Sequence, residues 1–136
     1  MPFMVWNDRL SINVSAIDDD HRRMIETINE LYDAIRGDYS KDVLGGILHR
    51  LVDYTQYHFE REENLFSQTA YPTASEHSRE HADATAWIRQ MRDDYAGCTA
   101  AAPSLKMISF LKDWLFDHIL GSDHRFGEFL NSRGVH

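Results

Sequence analysis

The chain has 136 residues, 43% of them hydrophobic, and one cysteine, which suits a single domain with its own core and leaves no internal disulfide. A net charge of -8 with no Lys/Arg cluster argues against nucleic acid and anionic membrane surfaces as partners. No apolar run nears the roughly 20 residues that span a bilayer, and the N-terminus lacks the charged and apolar regions of a signal peptide, so a soluble, cytoplasmic protein is expected.

Residues 1–14 read as an arm, with Trp6, Leu10, Ile12 and Val14 placed to pack as extended chain on the body. Beyond it the apolar spacing is helical throughout, with no period-2 alternation to compete. A first helix is expected over 15–37, from a capping-box pair Ser15 and Asp18 to a Gly37 stop. Its apolar face carries Ile17, His21, Met24, Ile25, Ile28, Leu31 and Ile35. A second, over 41–67 behind a Ser40 cap, presents Leu44, Leu48, Leu51, His58, Glu62 and Leu65. Tyr71 and Pro72 break the pattern, and Thr73 with Glu76 has capping-box spacing for a third helix over 73–96. Its stripe is His77, His81, Ala84, Ile88, Met91 and Tyr95. After a linker from Gly97 to Pro103, in which Cys98 reads as a spectator thiol, a fourth helix over 104–131 offers Ile108, Leu111, Leu115 and His118. Four such helices with short loops make an all-α chain, an antiparallel up-down-up-down four-helix bundle with an N-terminal extended arm.

Seven residues of metal-binding type lie within these apolar stripes: His21, His58, Glu62, His77, His81, His118 and Asp123. Imidazoles and carboxylates are costly to bury unless partnered, and a metal centre partners all of them at once. Residues four apart differ by about 40° around a helix, so His58 with Glu62, and His77 with His81, each aim at one point. Five residues, as from His118 to Asp123, turn through about 140°, so a π-type bulge or bend near Gly121 is expected to bring Asp123 round. Taken singly, a buried His21 is an ordinary core histidine and a His77/His81 pair a solvated face; the set together reverses that reading. His49 falls on the opposite side of its helix, His136 is terminal, and His124 is a candidate to support a ligand from behind.

Five imidazoles and two bridging carboxylates fill about nine of the twelve positions around two six-coordinate ions. A bridging oxide or hydroxide takes two more and leaves one position open for a small molecule. A single tetrahedral zinc would waste ligands, and the Glu-x-x-His pairs of ferritin-like di-iron proteins are absent from the sequence. A His-rich site favours reversible binding over strongly oxidising chemistry. Met24, Phe59, Phe66, Trp114, Leu115 and Ile119 are placed to line the pocket, while Trp87 reads as core packing.

Over nearly its whole length the chain resembles the bacterial hemerythrins, the HHE-type cation-binding domains. The resemblance rests on Trp6, on Ile17-Asp18 followed by His21, and on the run His58-Phe59-Glu60-Arg61-Glu62-Glu63. It is completed by the His77/His81 pair and by Trp114-Leu115 with His118-Ile119 and Asp123. It implies two irons, one held by His77, His81 and His118 and the other by His21 and His58, bridged by Glu62, Asp123 and an oxo or hydroxo group. The second iron would be the open one, where dioxygen binds reversibly. Two departures bear on the pocket: Phe126 stands where an aromatic hydroxyl often follows the aspartate, and Phe66 where Met or Leu is common.

The resemblance implies an oxygen carrier or store, or the oxygen-sensing domain of a longer chemotaxis or signalling protein. A di-iron enzyme consuming O2, peroxide or nitric oxide is the alternative. It is disfavoured by the expectation that no further buried acid or base adjoins the site. A metal-free interaction module is the third class, and it would fold indifferently to chelators.

Overall fold

A computed structural model describes residues 2–97 and 103–136. Cys98 and most of the third linker lie outside the described residues. Four long helical rods form the body: α1 (Ser15–Arg36), α2 (Lys41–Thr69), α3 (Ala74–Ala96), and a fourth rod. That rod runs through α4 (Leu105–His118), a π-helical turn (Ile119–Asp123) and α5 (His124–Ser132). Among the described residues there is no strand. Short connections at 37–40 and 70–73 turn the chain back, so α1 packs on α2 and on α4, and α2 on α3. Ile17, Ile28, Leu31, Leu48, Leu51, Ile108, Leu115 and Ile119 form the sealed interior. No helix is long and apolar enough to cross a membrane among the described residues.

Ser40 caps α2 as its position suggests, accepting from Val43 N at 3.3 Å. The two expected capping boxes do not form. Asp18 is drawn away from Ser15 by the arm: it accepts from Ser11 Oγ at 2.5 Å and from Ile12 N at 2.9 Å, and α1 starts after Val14 without a side-chain cap. Thr73 precedes α3 at φ -106°, ψ 27°, off the extended geometry that aims a cap oxygen at the next turn, and makes no cap bond.

The arm, which includes a 3-10 turn at Asp8–Leu10, is held by side chains acting as a substitute for sheet pairing. Asn29 on α1 receives the Met4 N–H at 2.7 Å and donates to the Met4 carbonyl at 2.9 Å. Arg22 lies 4.4 Å over the Trp6 ring, and Leu10, Ile12 and Val14 are buried. The arm crosses α5 at Gly127, where an added Cβ would stand 2.5 Å from the Ile12 carbonyl oxygen and 2.8 Å from the Ile12 Cβ. Only a glycine admits that approach.

The same substitution at two glycines therefore carries opposite signs. Gly127→Ala is expected to destabilise by about 1–3 kcal/mol through overpacking at the arm. Gly46→Ala, in an exposed stretch of α2 with open space around it, is expected to stabilise by about 0.5–1 kcal/mol. Urea midpoints measured on both variants check the pair.

Candidate metal centre

All four rods contribute to one buried cluster. His21 comes from α1, His58 and Glu62 from α2, His77 and His81 from α3, His118 from the end of α4, and Asp123 from the end of the π turn. Each is at most 5% exposed. The two pairs at i and i+4 share a face because a regular helix puts them there. His118 and Asp123 share one because the π turn adds a residue to the helical ring and cancels the 140° offset that five α-helical steps would give. Ser122 pins this turn, its hydroxyl lying 2.7 and 2.9 Å from the Glu80 carboxylate oxygens on α3.

The two carboxylates are divided between two groups of imidazoles. Glu62 Oε1 lies 2.7 Å from His58 Nε2 and 3.8 Å from His21 Nε2, whereas its Oε2 lies 3.3 Å from His77 Nε2 and 3.5 Å from His81 Nε2. Asp123 repeats the division. Its Oδ2 is 3.0 Å from His21 Nε2, and its Oδ1 is 2.9 Å from His77 Nε2 and 3.2 Å from His118 Nε2. The donor atoms thus fall into a five-residue group, Glu62, His77, His81, His118 and Asp123, and a four-residue group, His21, His58, Glu62 and Asp123. Within each group the atoms lie within 4.8 Å of one another.

These contacts are close, yet most are not aligned as hydrogen bonds. His58 Nε2, His81 Nε2, both Glu62 oxygens and both Asp123 oxygens are buried without a hydrogen-bond partner, as are both nitrogens of His21. His77 Nε2 and His118 Nε2 face each other at 3.2 Å. Lone pairs converging on common points, rather than donors meeting acceptors, are the geometry that cations complete. A mixed set of imidazole and carboxylate suits a first-row transition metal. The residues present therefore fit two metal ions sharing Glu62 and Asp123.

Electrostatics reinforce the fit. Burial alone pulls the His58 pKa down, but Glu62 and Asp20 push it up to about 10. Burial likewise opposes His77, which Asp123 and Glu62 raise to about 9. Burial and the neighbouring Asp123 work to raise Glu62, and burial to raise Asp123, yet the imidazoles hold both carboxylates below their ordinary range. The pocket carries fixed negative charge in a dry core and attracts positive charge of any kind.

Behind the imidazoles stand carboxylates that spacing along the sequence did not reveal. The His58 Nδ1–H donates to Asp20 at 2.9 Å, His81 Nδ1–H to Glu63 at 3.0 Å and His118 Nδ1–H to Glu80 at 2.7 Å. This fixes the ring tautomers so that Nε2 faces the centre. The expectation that no further buried acid adjoins the cluster is thereby corrected, since Asp20 is 3% exposed and touches His58. Asp20 lies one residue before His21 and Glu63 one after Glu62, so each sits beside a cluster residue in sequence, where nothing in the helical spacing distinguishes it from a solvated charge. Glu80 occupies the same place before His81. His124 makes no such support, its Nε2 having no hydrogen-bond partner among the described residues. His49 is exposed beside Asp53 at 3.4 Å.

Aromatic rings wall the cluster. Phe59 stacks on His81 at 3.9 Å, Trp114 stacks on His118 at 4.7 Å, and Phe66 lies 4.8 Å from the His77 ring. Met24, Leu115 and Ile119 are buried, and Phe126 packs edge-on to Phe66 at 4.7 Å. Trp87 is half-buried, packed against the hydrophobic core as expected and against Phe110, 5.2 Å between ring centres.

Residues 13–130 match the family model described as the hemerythrin HHE cation binding domain. A bacteriohemerythrin of Stenotrophomonas maltophilia (strain R551-3) is 32% identical over 128 residues, 94% of this chain and 82% of the relative. One from Methylococcus capsulatus is 28% identical over 134 residues, 97% of this chain and all of the relative. A crystal structure of wild-type hemerythrin superposes with a TM-score of 0.87 at 26% identity, covering 94% of this chain and 98% of that one. With a family match across nearly all of the helical body, and the same fold, the chain belongs to the hemerythrin family.

Proposed function

We propose that the protein binds dioxygen reversibly at a di-iron centre. His77, His81 and His118 hold one iron, His21 and His58 hold the other, and Glu62 and Asp123 bridge them. The single observation that carries this reading is the division of each carboxylate between the two imidazole groups, one oxygen to each. Hemerythrin relatives point to an oxygen-binding protein rather than an enzyme.

Two irons bound here would supply a redox-active site for a diatomic ligand. The chain's own residues prepare that site. The His21/His58 group has one imidazole fewer than its neighbour, so the open position belongs there. Phe59, Phe66 and Trp114 cover the imidazoles, and the buried Met24, Leu115 and Ile119 would give the pocket an apolar lining. A dry pocket strengthens every interaction with charge at the centre and limits proton access, which favours release of dioxygen over its reduction. Oxygen carriage and oxygen sensing in a longer signalling chain both use this chemistry.

Anaerobically reduced, iron-loaded protein is expected to hold two irons per chain and to develop a visible charge-transfer band with oxygen that disappears when oxygen is removed. A direct, permanent passage to the ferric form would contradict reversible binding.

Metal removal and pH act together. In the metal-free protein the raised pKa values of His58 and His77 contribute stability that is present below 6.5 and lost as pH rises toward about 10 and about 9. The lowered values of Glu62 and Asp123 contribute stability lost on acidification below the ordinary carboxylate range. Metal binding needs neutral imidazoles, so it gains as those protons leave. The Tm gap between iron-loaded and metal-free protein is therefore expected to widen from pH 6 to pH 9. Thermal scans at fixed ionic strength check it; a constant gap would contradict the account.

The bridge can be tested without oxygen. Glu62→Ala is expected to lower the metal stoichiometry below two and to weaken retention of the remaining ion about 10-fold or more. Metal analysis after dialysis against a chelator checks this.

A further inference from the structure

The three carboxylates behind the imidazoles are not equivalent. The side chains of Glu63 and Glu80 are 42% and 43% exposed, so water screens their charge. The Asp20 side chain is 5% exposed, and its field reaches His58 through low-dielectric surroundings. Among the described residues Asp20 is also the one of the three that pairs with a guanidinium. Arg61 Nε lies 2.9 Å from its Oδ2, the oxygen that also accepts from His58, while Tyr54 donates to Oδ1 at 3.1 Å. Arg61 in turn donates to the Tyr57 hydroxyl at 2.6 Å. A cleft of about 500 Å³ between α1 and α2 is lined by Asp20, Arg23, Tyr54, Tyr57 and Arg61, and the Arg61 side chain is 34% exposed.

We propose that Asp20 is a positioning residue for the His21/His58 iron and that Arg61, its counter-charge in the lining of the outer cleft, sets how strongly it acts. This rests on the di-iron reading above. An anionic hydrogen bond to His58 Nδ1–H makes the imidazole a stronger electron donor at Nε2 and favours the more highly charged metal. Arg61, close to the same oxygen but not aligned to hydrogen-bond it, offsets part of that charge. Because the cleft admits solvent to Arg61, the balance is set at the surface while its effect is felt in the core.

The two groups carry opposite charge, so their removal has opposite effects. Iron-loaded protein is compared as wild type, Asp20→Asn, Arg61→Gln and Arg61→Lys by anaerobic spectroelectrochemical titration. Asp20→Asn is expected to shift the first one-electron ferrous/ferric balance about 10-fold toward ferrous, which is about 59 mV. Arg61→Gln shifts it toward ferric, and Arg61→Lys returns it toward wild type. Shifts of one sign in both, or none, overturn the inference, because loosened packing alone has no reason to alternate in sign. Arg61 is partly exposed, so its variants keep the test open should Asp20→Asn fold poorly. Zinc-loaded protein gives a readout free of redox chemistry: the His58 Nδ1 proton resonates far downfield in wild type and moves upfield in Asp20→Asn. An unmoved resonance overturns the inference. A wild type that takes up no metal overturns the di-iron reading as well, whereas one that loads two irons while the variants shift together overturns the inference alone.

Discussion

Two carboxylates and five imidazoles are buried where water cannot reach them, and the rest of the structure is arranged around that cost. Each unpaired polar group of this kind costs on the order of a few kcal/mol in an apolar interior, and a buried charge costs more. Hydrogen bonding among the seven does not remove the penalty, because most of their central atoms meet at poor angles. Cations shared between Glu62 and Asp123 would remove it. The aromatic walls then act as an asset, since the low dielectric that makes buried unpaired charge costly makes metal–ligand attraction strong.

The fourth rod carries a local geometric cost for this arrangement. It departs from α-helix for the five residues Ile119–Asp123, and the turn is tied down by Ser122 on Glu80 while Glu80 also receives the His118 proton. One glutamate therefore fixes both the backbone defect and the ring orientation it serves. The arm closes the same end of the molecule, with Ile12 seated on Gly127 of α5 and Asp18 of α1 holding the arm's backbone. Elements distant in sequence are thus coupled to the ends of the helices that present His21 and Asp123.

Much of this was legible in the sequence because it follows helical periodicity. The apolar stripes located the four rods, and the presence of His58, Glu62, His77 and His81 within those stripes pointed to the cluster. The offset of Asp123 from His118 required a bulge near Gly121, and a π turn stands there. What was not legible depended on contacts between helices or on competition for a side chain. Ser15 and Asp18 have ideal capping-box spacing, yet the arm claims Asp18. Asp20, Glu63 and Glu80 fall beside cluster residues and look like solvated charges. Only the packing of α1 on α2, and of α3 on α2 and α4, turns them toward His58, His81 and His118. His124 had the more suggestive position in sequence and supports nothing at the centre.

The central claim is that one cluster holds two ions because each carboxylate gives one oxygen to each imidazole group. A crystal structure of the iron-loaded protein, with iron located by its anomalous scattering, tests it most directly. Two iron peaks are predicted, both bridged by Glu62 and Asp123, one against His77, His81 and His118 and the other against His21 and His58. A single peak at full loading, or two peaks without a shared carboxylate, would contradict the account.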